Sequence, residues 1–170
     1  KIAAEKGVRA WSASSLRFSP QLIDACKAVP DPLHVSTYGH MGTAPAGSSI
    51  VWYGVHAFEM LNRAAGGGAE TVRTVGSKVG AVCVVSYKNG RQGVVELLTN
   101  GSIYAGCLRD QKKAAPFVVD SGRLYADQLK LVAEFFRGAP APVSLEDAVE
   151  VTAMLDAAER SLQSGKPENV

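Results

Sequence analysis

The apolar run VWYGVHAFEML, residues 51–61, is interrupted by an imidazole and a carboxylate. His56 and Glu59 stand three apart, Trp52 four before His56, and Arg63 four after Glu59. On an α-helix these spacings make one continuous stripe. The surrounding residues, among them Ile50, Val51, Val55, Phe58, Met60 and Leu61, are apolar. Such a helix is expected to be buried, with its polar stripe pointing into a cleft. An imidazole there suits proton transfer, because its pKa lies near neutrality. Glu59 is placed to orient the ring or to hold a hydroxyl group. A plainer reading stands beside this one. Glu59 and Arg63 are an ordinary i,i+4 pair, worth about 0.2–0.5 kcal/mol. A lone helical histidine is more often a hydrogen-bonded structural residue, and Trp52 and Tyr53 are core residues by default. On spacing alone the plainer reading is the stronger. His34 and His40, near a strand end and a loop, carry no comparable signal.

The elements around this helix follow from turn and cap chemistry. The segment IAAEKG ends in Gly7, a helix C-terminal signal. Residues 8–18, VRAWSASSLRF, alternate and predict a strand. Ser19-Pro20 predicts the start of a short helix that Pro30 and Pro32 stop. LHVSTY predicts a second strand, and GHMGTAPAGSS a loop. The central helix runs from about residue 49 to 65 and ends at Gly66-Gly67-Gly68. That triple glycine follows a helix rather than preceding one, so it predicts a turn and not a phosphate cradle.

Two Asn-Gly pairs, 89–90 and 100–101, each lie between β-rich runs. Each predicts a hairpin, and together an antiparallel meander. ETVRTVGS and PFVVD add strands, for a sheet of five or six. Residues 122–137 predict a helix with Tyr125, Leu129, Val132 and Phe136 turned inward. Ser144 and Asp147 predict a capped last helix with Leu145, Ala148, Val149, Thr152, Leu155 and Leu162 inward. The expected fold is α+β: a largely antiparallel, open-faced sheet with helices on one face. Its bare face needs a partner.

Composition narrows the function classes. The chain has 170 residues, 46% hydrophobic and 20% charged, enough for one domain with a real core. A formal net charge of +2 argues for neither nucleic acid nor an anionic membrane. No apolar segment reaches the roughly 18 residues of a membrane span. Cys26, Cys83 and Cys107 show no metal-ligand spacing, and the latter two sit in apolar runs.

Three segments carry a family resemblance. VRAWSASSLRFSP resembles the first strand of the substrate domain in the glucose–fructose oxidoreductase / inositol dehydrogenase / MocA (Gfo/Idh/MocA) family. GVHAFEML followed by GGG resembles that family's G-x-H-x-x-(D/E) helix and its Gly-rich turn. The C-terminal segment from Leu129, with its Ser-x-x-x-Gly-Lys-Pro ending, resembles the family's last helices. Together they cover nearly the whole chain.

The resemblance implies the substrate-binding and oligomerisation domain, residues 8–170, of a two-domain NAD(P)-dependent oxidoreductase. Residues 1–7 would end the last helix of a dinucleotide-binding half lying upstream. NAD or NADP, and a lysine assisting proton transfer, would belong to that half, since no strand here leads into G-x-G-x-x-G. The implied substrate is a sugar or cyclitol hydroxyl, with His56 taking its proton, alone or with that lysine. Trp52 would stack on a pyranose ring. Tyr53, Glu59 and Arg17 would contact hydroxyl or carboxylate groups, and Tyr104 would reach the site from the sheet. The open sheet face would pack on another subunit in a dimer or tetramer. A cytoplasmic location is expected, and this chain by itself is expected to be inactive. One departure stands out: Trp52 occupies the place, four before the histidine, where an acid is usual. It slightly favours the alternative of a non-catalytic sugar-binding or dimerisation domain.

Overall fold

The computed structural model describes residues 2–170; Lys1 and the side chain of Ala4 lie outside the described residues. Five α-helices and seven strands form an α+β fold. They are α1 (Ile2–Glu5), α2 (Pro20–Ala28), β1 (His34–His40), α3 (Val55–Ala65), β2 (Ala69–Ser77), β3 (Gly80–Tyr87), β4 (Gln92–Leu98), β5 (Ala105–Arg109), β6 (Ala114–Val118), α4 (Leu124–Phe136), α5 (Leu145–Ser164) and β7 (Glu168–Asn169). The sheet order is β6-β5-β1-β4-β3-β2-β7. All pairings are antiparallel except β1 with β4.

Local chemistry sets several boundaries. Ser19 caps α2, accepting the Leu22 N–H at 3.4 Å, with Pro20 opening the helix. Gly66, at φ 76°, ends α3. Ser144 caps α5, accepting the Asp147 N–H at 3.0 Å, while its hydroxyl donates to the Asp147 carboxylate. The core lies between the sheet and helices α2, α3 and α5, around Leu22, Phe58, Met60, Leu61, Val72, Val85, Leu97 and Met154. The opposite sheet face is open. There Tyr38, Val75, Val82, Leu98 and Val118 are exposed, alternating with the buried residues of their strands.

Four sequence expectations are corrected. First, residues 8–14 form no strand, and a 3₁₀ turn follows at Ser15–Phe18. The segment pairs with helix α4 instead. Gln128 donates to the Ala13 carbonyl, and the Trp11 ring meets Phe135 edge-on at 6.4 Å. Second, only Asn89-Gly90 makes a hairpin, with Gly90 at φ 83°. After Asn100-Gly101 the chain crosses to the far side of β1, which lies between β4 and β5, parallel to the first and antiparallel to the second. Neither residue of that second pair has a positive φ. Third, α4 buries Leu124 and Phe135, while Tyr125, Leu129 and Phe136 face outward, Phe136 being 82% exposed. The helix packs mainly against the 3₁₀ turn and so hides only a narrow strip. Fourth, α5 turns Val151, Met154, Leu155, Ala157, Ala158 and Ser161 inward. This face, which mixes large apolar with small residues, packs on β2, while Leu145, Val149 and Leu162 stay exposed. Only Leu155 belongs to both sets. The two-residue strand β7 was not anticipated.

Candidate functional site

The central helix begins irregularly. Ile50–Gly54 forms a π-helical turn that runs directly into α3. Such turns concentrate at functional sites. Its backbone lies against the sheet because Gly54 has no side chain. A Cβ there would stand 2.9 Å from Leu97 Cδ1. The preceding loop is tied down at two points. The Ala44 N–H bonds Ser49 Oγ at 3.0 Å, and the Ser48 hydroxyl bonds the Glu159 carboxylate of α5.

His56 faces a pocket of about 170 Å³ whose walls include Leu16, His40, Tyr53, Tyr104 and Tyr125. Four rings crowd it. Tyr53 meets His56 at 5.0 Å between centroids and His40 at 4.5 Å. Tyr104 meets the same two imidazoles at 5.8 and 5.3 Å. His40 closes β1, and Tyr104 precedes β5, so the insertion of β1 brings both to this end of the sheet. Gly39 makes room for the Tyr104 ring, since a Cβ there would fall 2.5 Å from Tyr104 Cδ1.

Two polar atoms of this pocket's lining, His40 Nδ1 and the Tyr104 hydroxyl, are buried and have no hydrogen-bond partner among the described residues. Buried polar atoms without partners are costly. A hydroxylated ligand or ordered water would satisfy them. Burial, and secondarily the charge of His40, push the His56 pKa below its ordinary value, so the ring is neutral at pH 7. Burial pushes the Tyr104 hydroxyl up, with Tyr53 and Tyr125 adding to it, so it stays protonated as a donor.

His56 is held from behind by a residue far away in sequence. Its Nδ1 lies 2.8 Å from Ser14 Oγ, which also accepts the Leu16 N–H at 3.2 Å and caps the 3₁₀ turn. The main-chain N–H of Ser14 faces the Glu59 carboxylate and, with Arg17, works against the rise of its pKa. Glu59, 4% exposed, forms a buried ion pair with Arg17, 6% exposed, at 3.0 Å. Arg17 also donates to Asn62 Oδ1 at 2.7 Å and stands 3.6 Å from Asp147. Burial raises the Glu59 pKa, and Arg17 opposes that shift.

Of the residues singled out from sequence, Tyr53 and Tyr104 therefore join His56. Glu59 and Arg17 lie behind the pocket, paired with each other, and Glu59 borders a separate groove of about 630 Å³ beside α5. Glu59 pairs with Arg17 rather than with Arg63. Trp52 is 55% exposed and lines neither cavity. Sequence reasoning missed Ser14, His40 and Tyr125. Ser14 had a usable signal as a Ser before a helical turn, and His40 stood at a strand end leading into a Gly/Pro-rich loop.

The glycine-rich turn 66–68 is not built as a phosphate cradle. It follows the C-terminus of α3, where carbonyls rather than N–H groups are free, and leads into β2. No helix among the described residues is long and apolar enough to cross a membrane.

No family model matches the chain, and no curated protein does. Solved structures do. The chain is similar to GenD2 from gentamicin A biosynthesis, solved in complex with NAD, with a TM-score of 0.83 at 15% identity. The match covers 99% of this chain and 65% of GenD2, so the chain spans just under two thirds of that protein. It is similar to scyllo-inositol dehydrogenase from Lactobacillus casei, solved with NAD(H) and scyllo-inositol (TM-score 0.78, 10% identity, 99% and 66% covered). It is also similar to aldose-aldose oxidoreductase from Caulobacter crescentus, complexed with glycerol (TM-score 0.72, 14% identity, 99% and 67% covered). At these identities the likeness is one of architecture: the chain has the α+β open-sheet fold that makes up about two thirds of these oxidoreductases.

Proposed function

We propose that this chain is the substrate-binding domain of a Gfo/Idh/MocA-family oxidoreductase that acts with NAD or NADP on a CH–OH group of a sugar or cyclitol. Residues 8–170 form that domain, and residues 1–7 end the last helix of a dinucleotide-binding half that precedes it. The cofactor would accept or supply hydride from that half. His56 addresses the reacting oxygen. His40, Tyr53 and Tyr104 surround the ligand, and the exposed sheet face packs on a second copy of the chain. Glu59 and Arg17 support the pocket from behind as an ion pair, and Trp52, exposed and outside both cavities, would reach a ligand only where that ligand extends beyond the pocket.

The observation that carries this reading is the pocket itself. A neutral imidazole shares it with two buried, unpartnered polar atoms, His40 Nδ1 and the Tyr104 hydroxyl. Hydroxyl groups of a polyol are the natural partners for such atoms. The fold likeness to proteins solved with NAD, scyllo-inositol and glycerol supports the same substrate class. Trp52 favours a second reading, a sugar-binding domain without catalysis, because no acid stands four before His56.

The test is a survey of sugars and cyclitols with NAD+ and NADP+, using the chain joined to its upstream half. Turnover should appear there and be absent from the 170-residue chain alone. His56→Ala should then lower kcat by roughly 10²-fold or more. Binding without turnover would select the second reading. Turnover by the isolated chain would overturn the domain assignment.

A further inference from the structure

The Ser14–His56 contact fixes more than the orientation of a ring. Each neutral imidazole carries its proton on one nitrogen, and the partner of the other nitrogen decides which. An acid at Nδ1 accepts that proton and frees Nε2 as a lone pair. Ser14 is not an acid. Its Oγ already accepts the Leu16 N–H at 3.2 Å. Its own hydroxyl proton has one acceptor within reach among the described residues, His56 Nδ1 at 2.8 Å. The oxygen is held in this position by the Leu16 N–H that it accepts and by the turn that it caps.

We propose that Ser14 is a positioning residue that donates its hydroxyl proton to His56 Nδ1, so that neutral His56 carries its proton on Nε2 and presents an N–H donor to the pocket. His56 is then a donor to a ligand oxygen, not the proton acceptor that spacing and resemblance suggested. The other groups at the ring agree with this role. Tyr53 and Tyr104 meet it edge-on, at interplanar angles of 74° and 82°, and offer no carboxylate. A neutral N–H aimed at oxygen polarises a carbonyl or holds a hydroxyl lone pair, and the substrate hydroxyl's proton must leave by another group. The tautomer stands independently of the proposed function; its meaning for a sugar or cyclitol rests on that reading.

The experiment is long-range proton–nitrogen correlation of the chain with isotope-labelled histidine, above neutrality where the ring is unprotonated. Wild-type His56 should show a protonated Nε2 and a bare Nδ1. Ser14→Thr keeps the hydroxyl and should keep that pattern. Ser14→Asp keeps the cap, since Asp caps as well as Ser, but replaces a donor by an acceptor. It should move the proton to Nδ1. A His56 protonated on Nδ1 in the wild type overturns the proposal, as does a pattern that Ser14→Asp leaves unchanged. Neither result touches the dehydrogenase assay, so the two readings fail separately. Should Ser14→Asp not fold, the wild-type and Ser14→Thr spectra still decide the tautomer.

Discussion

Arg17→Met should unfold the site from behind, and the size of its effect can be worked out from the contacts it removes. Arg17 and Glu59 are both buried, and Arg17 is the ion-pair partner of Glu59. Its removal leaves a buried carboxylate without a counter-charge, a loss of about 3–5 kcal/mol. Part of that loss is independent of pH. Asn62 Oδ1 loses its donor, and Asn62 Nδ2 already lacks an acceptor, so a buried amide is stranded at roughly 1–3 kcal/mol. Asp147 contributes little, being partly exposed and bonded to the Ser144 hydroxyl. The remainder belongs to the charge on Glu59. Its folded pKa is already raised by burial, and without Arg17 it rises further. A raised acid pKa means that the folded state holds the proton more tightly than the unfolded state. Stability therefore falls as pH rises from the unfolded value, about 4.3, through the folded one, and levels off above it. Urea denaturation across that range, wild type beside Arg17→Met, should show a deficit of roughly 1–3 kcal/mol in acid that grows to the full value near neutrality. The Tm at neutral pH should drop by roughly 6–20 °C. Adding Glu59→Gln removes the charge at nearly the same side-chain size and should recover the pH-dependent part only. A neutral-pH loss under about 1 kcal/mol, or a deficit flat with pH, would refute the buried-pair reasoning.

Other outcomes follow from the same contacts. Gly90→Ala should cost about 1 kcal/mol in urea titration because φ is +83° there, whereas Gly101→Ala, with ordinary φ and a new Cβ in ordinary van der Waals contact with His40 and Leu98, should change stability by less than about 0.5 kcal/mol. Gly39→Ala would drive its Cβ into the Tyr104 ring and should cost roughly 1–3 kcal/mol, together with weaker polyol binding by calorimetry. Ser144→Ala removes the α5 cap and should lower stability by about 1 kcal/mol in the same titration. The depressed pKa of His56 makes the unfolded state the better proton binder, so stability should fall as pH drops through about 6.5. His56→Gln should flatten that fall in melts taken on both sides of the value.

The sequence is most legible where one local rule acts alone. Caps at Ser19 and Ser144, the stop at Gly66 and the Asn89-Gly90 hairpin depend on a few neighbouring residues, and all four stand as the spacing predicts. The second hairpin fails because strand pairing is a competition, not a local property. β1 comes from far upstream, and its inward Val35, Thr37 and Gly39 occupy the place beside β4 that β5 would have taken. The stripes of α4 and α5 fail for a related reason. Hydrophobic size reports which face is greasy, but the face that packs is the one that fits. On α5 this is the face of Val151, Met154, Leu155, Ala157, Ala158 and Ser161, which packs on β2. The open sheet face was legible because alternation alone decides it.

The site was half legible, and the missing half explains the misplaced residues. The stripe Trp52–His56–Glu59 assumed one continuous α-helix. The π turn at Ile50–Gly54 breaks that register, so Tyr53 rather than Trp52 stands against the His56 ring, at 5.0 Å. Glu59 keeps its side of the helix but is covered by the Ser14–Phe18 segment, which the alternating sequence had disguised as a strand. That segment carries both Arg17, which neutralises Glu59, and Ser14, which meets His56. The acid that seemed missing at Trp52 is therefore not replaced on the helix at all. At Nδ1 stands a hydroxyl from another element, and the Glu59 carboxylate is paired with Arg17 of that same element. A carboxylate three residues after the histidine thus pairs with Arg17 while the imidazole meets Ser14 of the same segment, an arrangement that no spacing within the helix can reveal.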